Sequence, residues 1–355
     1  MRDLIKRALG VREAGVLLGL ILIAVVFGLC TDTFFSSRNL VNVLRQSAIL
    51  GIMAMAINFL MISGEFDLSI GSTFALSGIV AVVLMEAGLP PLVSFPLSLL
   101  AASCVGLING LLVTKTKIPS FICTMASMMM VRSVVLMISG ARPRILGERG
   151  VIAWIFGGGD LFGVIPMPII WLLLVVALSW MVLSKTPFGY KVFATGDNIQ
   201  AAQLSGIRTD RIKVMNFVYA SLAAGLGGLI SLCFLRMVSP TQGSGYELKA
   251  IASCVIGGTA LSGGIGSVFG AFLGSSTLAV IENGLVLMRT SPYIHDLVVG
   301  AVVLGAVILN VRITMRRRFL GSSSTANEIS GSGASGKHRA GEGQDASGSE
   351  RDEEP

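Results

Sequence analysis

Gly64-Glu65-Phe66-Asp67-Leu68-Ser69-Ile70-Gly71-Ser72 sets two carboxylates between apolar stretches at 46–62 and 69–85. A charged side chain at the centre of a bilayer costs about 2.5–3.5 kcal/mol on insertion scales, so an acid there is paired, faces a wet cavity or has a function. Gly64 and Gly71 flank the acids and let the chain leave helical geometry. Membrane proteins tolerate that only where protein or a cavity covers the backbone. The stretch therefore predicts a break between two membrane helices, with Glu65 and Asp67 on a solute path.

The rest of the chain supports a membrane setting. Hydrophobic residues make up 53% of it, charged residues 13%, and the mean hydropathy is +0.79. That charge content is about half the ~25% of a soluble domain. Apolar stretches fall near 14–30, 46–62, 69–85, 92–113, 120–138, 169–183, 212–234, 250–262, 265–288 and 296–313, ten in all. Several are shorter than the ~20 residues of a straight spanning helix. The stretch at 250–262 ends in Ser262-Gly263-Gly264 and reads as a half-helix or a re-entrant segment. The fold class is all-α, a polytopic integral membrane protein of about ten spans that include short or broken helices.

Lys and Arg set the orientation, because positive loops stay in the cytoplasm. With both termini inside, the inner segments hold fifteen Lys and Arg and the outer segments eight. The first span follows Lys6 and Arg7 but lacks a small-residue cleavage site, so it reads as a retained anchor. Three regions follow: a cytoplasmic N-terminus at 1–13, a transmembrane domain at 14–320 and a tail at 321–355. The tail is rich in Gly and Ser, carries seven acids against three Lys or Arg, and has too few apolar residues to bury a core. The net charge of +7 is thus a basic membrane body with an acidic tail, and nucleic-acid binding is not needed to explain it. Residues 331–338 nearly form a phosphate loop, but His338 stands where Ser or Thr is required.

The five cysteines lie in or beside apolar stretches without metal spacing, and the two histidines are too few for a His-based metal site or a Ser-His-Asp hydrolase. The reading is no metal and no catalytic residue: a transport chain and not an enzyme. Repeats are common in transporters. Ile70-Gly71-Ser72-Thr73-Phe74 recurs as Ile265-Gly266-Ser267-Val268-Phe269, an offset of 195 residues or six spans. An even number of spans makes the internal repeat parallel. Gly266, Gly270 and Gly274 have the spacing of close helix packing.

Between the sixth and seventh stretches, at 184–211, Asn198 can cap a short helix running through Leu204, and Gly206 suits its end. Such a helix has no core of its own and suits a groove on another protein.

These blocks resemble the integral-membrane permease of bacterial ATP-binding-cassette monosaccharide importers of the ribose, xylose and galactose type. Residues 64–72 are similar to that family's Gly-Gly-Ile-Asp-Leu-Ser-Val-Gly-Ser element, 196–207 to its coupling loop, and 245–264 to a third block. The likeness runs from about Phe35 to Asn310. Glu65 stands where the family commonly has Gly, Lys249 where an acid is usual, and Gln203 where Arg is common; these departures leave the sugar open. The resemblance implies a partner ATPase that binds ATP (this chain binding no cofactor), an extracytoplasmic sugar-binding protein, a second permease subunit, and a bacterial inner-membrane location. It places ATPase coupling on Gly196, Asn198, Ala201, Ala202, Leu204, Ser205, Gly206 and Ile207. The path candidates are Glu65, Asp67, Ser69, Gly71, Asn109, Arg132 and Asn283, with Arg132 expected to pair with Glu65 or Asp67. Glu247 is the candidate contact for the binding protein. The competing reading is an ion-coupled secondary transporter in which Asp67 or Glu65 carries a proton; a channel or scaffold would explain the glycines but not the loop.

Overall fold

In the computed structural model the described residues are 11–147, 150–163, 165–291, 293–295, 297–308 and 311–312. The chain up to Asn310 forms one unit; the second unit, from Val311, is described only at 311–312. The expected tail at 321–355 and the near-match to a phosphate loop lie outside the described residues.

The helices are α1 (Val11–Cys30), α2 (Ser37–Ile62), α3 (Ile70–Glu86), α4 (Pro91–Thr116), α5 (Ser120–Ser139), α6 (Met167–Lys185), α7 (Pro187–Asp197), α8 (Ile199–Leu204), α9 (Thr209–Leu235), α10 (Tyr246–Ile256), α11 (Val268–Leu287) and α12 (Tyr293–Ile308). Each of the ten apolar stretches overlaps one of them, although 250–262 runs past the end of α10 at Ile256, and among the described residues seven helices are long and apolar enough to cross a membrane. Two short antiparallel pairs join loops at one end of the bundle. In one, β1 (Arg144–Ile145) pairs with β4 (Met237–Val238); in the other, β2 (Asp160–Leu161) pairs with β3 (Ile165–Pro166).

Helix α2 is the axis of the core. From Ser47 to Ile62 every residue is buried, the pattern of a helix surrounded on all sides. Helices α6, α9, α10 and α11 pack around it, and α9 also carries α3 and α4. Local sequence sets the ends of these helices. The Ser36 hydroxyl accepts from Asn39 N–H at the start of α2, Pro91 takes the first position of α4, and Ser267 accepts from Gly270 N–H at the start of α11.

Three ion pairs mark the two ends of the bundle. Lys117 meets Asp210 at one end, while Arg144 meets Glu86 and Arg45 meets Asp160 at the other. Helices α3 and α11 both leave breaks at the Lys117 end. They finish at the opposite end, α3 with Glu86 on Arg144 and α11 with Val280 packed on Phe34, so they run in the same direction, as a parallel repeat demands. The local match is imperfect: Ile70 opens α3, whereas Ile265-Gly266-Ser267 precedes α11 as its extended lead-in.

The stretch at 250–262 resolves as a half-helix. After α9 the chain turns at Arg236, passes β4, and re-enters the bundle through residues 239–245 before α10 begins. Eleven residues span about 16 Å, half of a ~30 Å hydrocarbon layer, so α10 completes a crossing that the loop begins. Gly270 and Gly274 let α11 approach it. A Cβ on Gly270 would overlap the Gly257 carbonyl, and one on Gly274 the Ser253 carbonyl. Gly274→Leu is expected to cost at least the ~1–3 kcal/mol of an overpacked core. The check is a lowered midpoint of thermal unfolding in detergent; an unchanged midpoint removes this packing assignment.

Candidate functional site

The break after α2 is built by its own polar groups. Gly64 adopts φ +83°, the left-handed conformation open to glycine, and Glu65 N–H still reaches back to the Leu60 carbonyl. Phe66 and Leu68 N–H donate to the hydroxyls of Ser120 and Thr124 on α5, at 3.2 and 3.1 Å. Asp67 is fully buried; its Oδ1 accepts from Ser69 N–H at 2.7 Å and from the Ser69 hydroxyl at 2.6 Å. Asn109 on α4 donates to the same hydroxyl at 2.9 Å. Asp67 thus holds the first turn of α3 to the bundle, with Oδ2 unpartnered. Glu65 is neutralised by Lys213 of α9 at 2.5 Å, both side chains largely buried.

Several expectations change. Arg132 pairs with neither acid: its Nη1 donates to the carbonyls of Pro240 and Gln242, at 3.1 Å for Gln242, and so pins the re-entrant segment. Gly71 is not a point of departure from the helix. It lies within α3, and a Cβ there would overlap the Gly243 carbonyl and the Glu247 carboxylate. Asn283 forms a reciprocal amide pair with Asn39 at 2.8 and 2.9 Å, which joins α11 to α2. Glu247 is drawn inward rather than presented on an outer loop; Oε1 accepts from Gly245 N–H and Oε2 is buried without a partner. A cavity of about 440 Å3 opens between α2, α9, α10, α11 and α12, and none of the seven path candidates lines it.

The second break, residues 257–267, lies against the first. Gly264 N–H donates to the Ile62 carbonyl at 2.9 Å, and Asn58 of α2 accepts from the Thr259 hydroxyl at 2.6 Å and donates to the Ser267 carbonyl at 3.2 Å. Gly263 touches Gly64, and the end of α7 closes over both: Gly196 abuts the Ile62 carbonyl and Gly264 N, and Asp197 abuts Gly264. One short stretch of α7 therefore contacts both breaks.

The capping reading of α8 fits the geometry. Asn198 Oδ1 accepts from Ala201 N–H at 3.0 Å, and Gly206 closes the helix at φ +80°. Its faces divide differently from the expectation. Ala202 is 4% exposed and turns inward, and Ile207 packs on the core, whereas Leu204 is 91% exposed and Ala201, Ser205 and Gly206 are also exposed. Helix α7 was not foreseen. Its signals are Thr186, whose hydroxyl accepts from Gly189 N–H, followed by Pro187 at the first position.

Residues 39–307 match a family described as branched-chain amino acid transport system / permease component. The chain is 36% identical to the ribose import permease protein RbsC of Bacillus subtilis strain 168 over 299 residues, 84% of this chain and 92% of that protein. The corresponding figures for the Haemophilus influenzae ribose import permease protein RbsC are 35%, 82% and 90%. For the autoinducer 2 import system permease protein LsrC of Photorhabdus laumondii they are 33%, 83% and 88%. No solved structure matches.

Proposed function

The chain belongs to the branched-chain amino acid transport system / permease component family, and from that premise we propose that it translocates a monosaccharide or a related small polyol by alternating access. It is a multi-pass membrane permease subunit of an ATP-driven importer and not an enzyme, and it works with an ATPase subunit and a substrate-binding protein. We further assign ATP to the ATPase, the cytoplasm to both termini and to the α7–α8 end, and a second permease subunit to the assembly.

The observation that carries this reading is the contact of Gly196 and Asp197 with both breaks. Closure of an ATPase dimer beneath α7 and α8 would press on the point where α2, α3, α10 and α11 change direction. Broken helices are natural hinges, because a few residues outside regular helix absorb the change in φ and ψ. The differential contacts of ATP with the two states of the ATPase would then bias the two states of the bundle. A proton-carrying role for the acids is disfavoured by their surroundings. Glu65 is committed to Lys213, and Asp67 to the Ser69 N–H and hydroxyl.

Leu204 is the most exposed apolar residue of α8, 91% exposed against 38% for Ile199. Leu204→Asp is expected to lower the ATPase co-purified with the permease at least about tenfold, a loss of ~1.4 kcal/mol, while insertion and monodispersity stay unchanged. Undiminished co-purification would move the docking surface elsewhere.

A further inference from the structure

We propose that the cavity between α2, α9, α10, α11 and α12 is the site where the solute rests in the permease, that it takes a neutral polyhydroxylated ring, and that Lys249 and Glu282 select it. The proposal rests on the import reading above and adds the residues that hold the cargo.

At about 440 Å3 the cavity falls in the ~300–1,000 Å3 range of small-molecule sites. Of its fourteen lining residues six are aliphatic, two are aromatic and six carry polar or charged side chains. Lys249 from α10 and Glu282 from α11 sit side by side in its wall, with Nζ 2.7 Å from Oε1 and each side chain about a quarter exposed. The charges touch, yet the ammonium is not aligned for a hydrogen bond, and Glu282 Oε1 is left without one. His295 of α12 lines the same space, and its Nε2 is likewise buried without a partner. Tyr246 supplies an aromatic surface, its ring held edge-on against Phe74 at 5.3 Å and Lys249 lying 5.7 Å from its centroid. Gln242 is already engaged, with its Nε2 on Ser231 and its Oε1 on Ser239 N–H, so it shapes the wall.

The ligand class follows from this inventory. The site offers an ammonium that only donates, a carboxylate that only accepts, and an imidazole nitrogen that can do either. A hydroxyl both donates and accepts, so adjacent hydroxyls on one ring can satisfy all three groups. The Lys249–Glu282 pair has no net charge. An acidic or a basic solute would therefore gain one attraction and meet one repulsion, with no net gain against the hydration it sheds on entry. The cavity also bears on coupling. Tyr246 and Lys249 sit near the start of α10, whose far end runs into the break touched by Gly196 and Asp197. Movement of that break would carry the half-helix and two lining residues with it.

The test uses the full-length permease in nanodiscs, with Cys30 and Cys104 replaced by Ser and Gln46→Cys at the exposed mouth of the cavity. D-ribose or D-galactose is expected to slow maleimide labelling of Cys at this position about fivefold when present at roughly four times its Kd, and D-gluconate and D-glucosamine to give no protection. Glu282→Gln should make gluconate a competitor about tenfold stronger than in the parent, Lys249→Gln should do the same for glucosamine, and the double variant should restore the preference for neutral sugars. Labelling indifferent to all four compounds, or an unchanged order of competition in the charge variants, overturns the proposal. Protection combined with uptake that needs no ATPase would leave this site standing and remove the import reading. Uptake that needs the ATPase but shows no protection would do the reverse.

Discussion

Gly196→Leu is expected to abolish coupled uptake while leaving the ATPase bound. A side chain at this position has nowhere to go: its Cβ would overlap the Ile62 carbonyl and crowd Gly264 N, the two atoms joined by the hydrogen bond that holds the breaks together. Overpacking a close contact costs about 1–3 kcal/mol, which corresponds to roughly 5- to 150-fold in the population of the closed arrangement. Because the exposed face of α8, including Leu204, is untouched, the ATPase should still co-purify and hydrolyse ATP. Uptake and ATP hydrolysis are measured together in proteoliposomes. Uptake at the parental rate in Gly196→Leu would mean that α7 transmits nothing to the breaks. Gly196→Ala should lie between the two, since it adds the clashing atom without the longer side chain.

The second large effect is expected at Asp67. Replacing it with Leu strands the Ser69 N–H and hydroxyl in a buried site, at about 1–3 kcal/mol for each unmatched group. The sum is a large part of the ~5–15 kcal/mol that holds a typical domain folded. Asp67→Leu should therefore give little folded permease by size-exclusion chromatography. Asp67→Asn keeps an acceptor at Oδ1, forfeits only the charge-assisted part of each bond, and should retain most folded protein with a partial loss of uptake. A folded Asp67→Leu protein whose uptake alone is lost would assign the acid to the solute or to a proton rather than to the start of α3. Uptake with ATP plentiful and the proton gradient collapsed separates those two: if it persists in the parent protein, proton coupling is excluded.

Composition and hydropathy were enough for an all-helical membrane protein, because the cost of burying unpaired backbone leaves few other solutions for ten apolar stretches. The break was legible from Gly64 and the two acids after it, although it ends at Ser69 and Gly71 belongs to α3; the parallel sense of the repeat was legible from an even number of spans. Asn198 and Gly206 gave α8, since a cap and a left-handed terminator are local signals. The half-helix at 246–256 was legible as an alternative, from its length and its glycines.

What each polar residue does was not local, and here the tertiary structure decided. Arg132 lies in an apolar stretch of a chain with two acids at the first break, yet it is bound by two carbonyls of a segment more than a hundred residues away. Lys213, one of the fifteen Lys and Arg of the inner segments, is the counter-ion of Glu65. Asn283 and its neighbour Glu282 sit on different faces of one helix, so one joins α2 and the other lines the cavity, a division of about 100° per residue that no motif records. Sequence by itself determined that this chain crosses a membrane, where its helices break and which loop carries a capped helix, because hydropathy, glycine conformation and capping act within a few residues. Only the tertiary structure decided which acids are neutralised, which glycine carries the contact between breaks and which side chains face open space, because burial and pairing belong to neighbours brought together by folding.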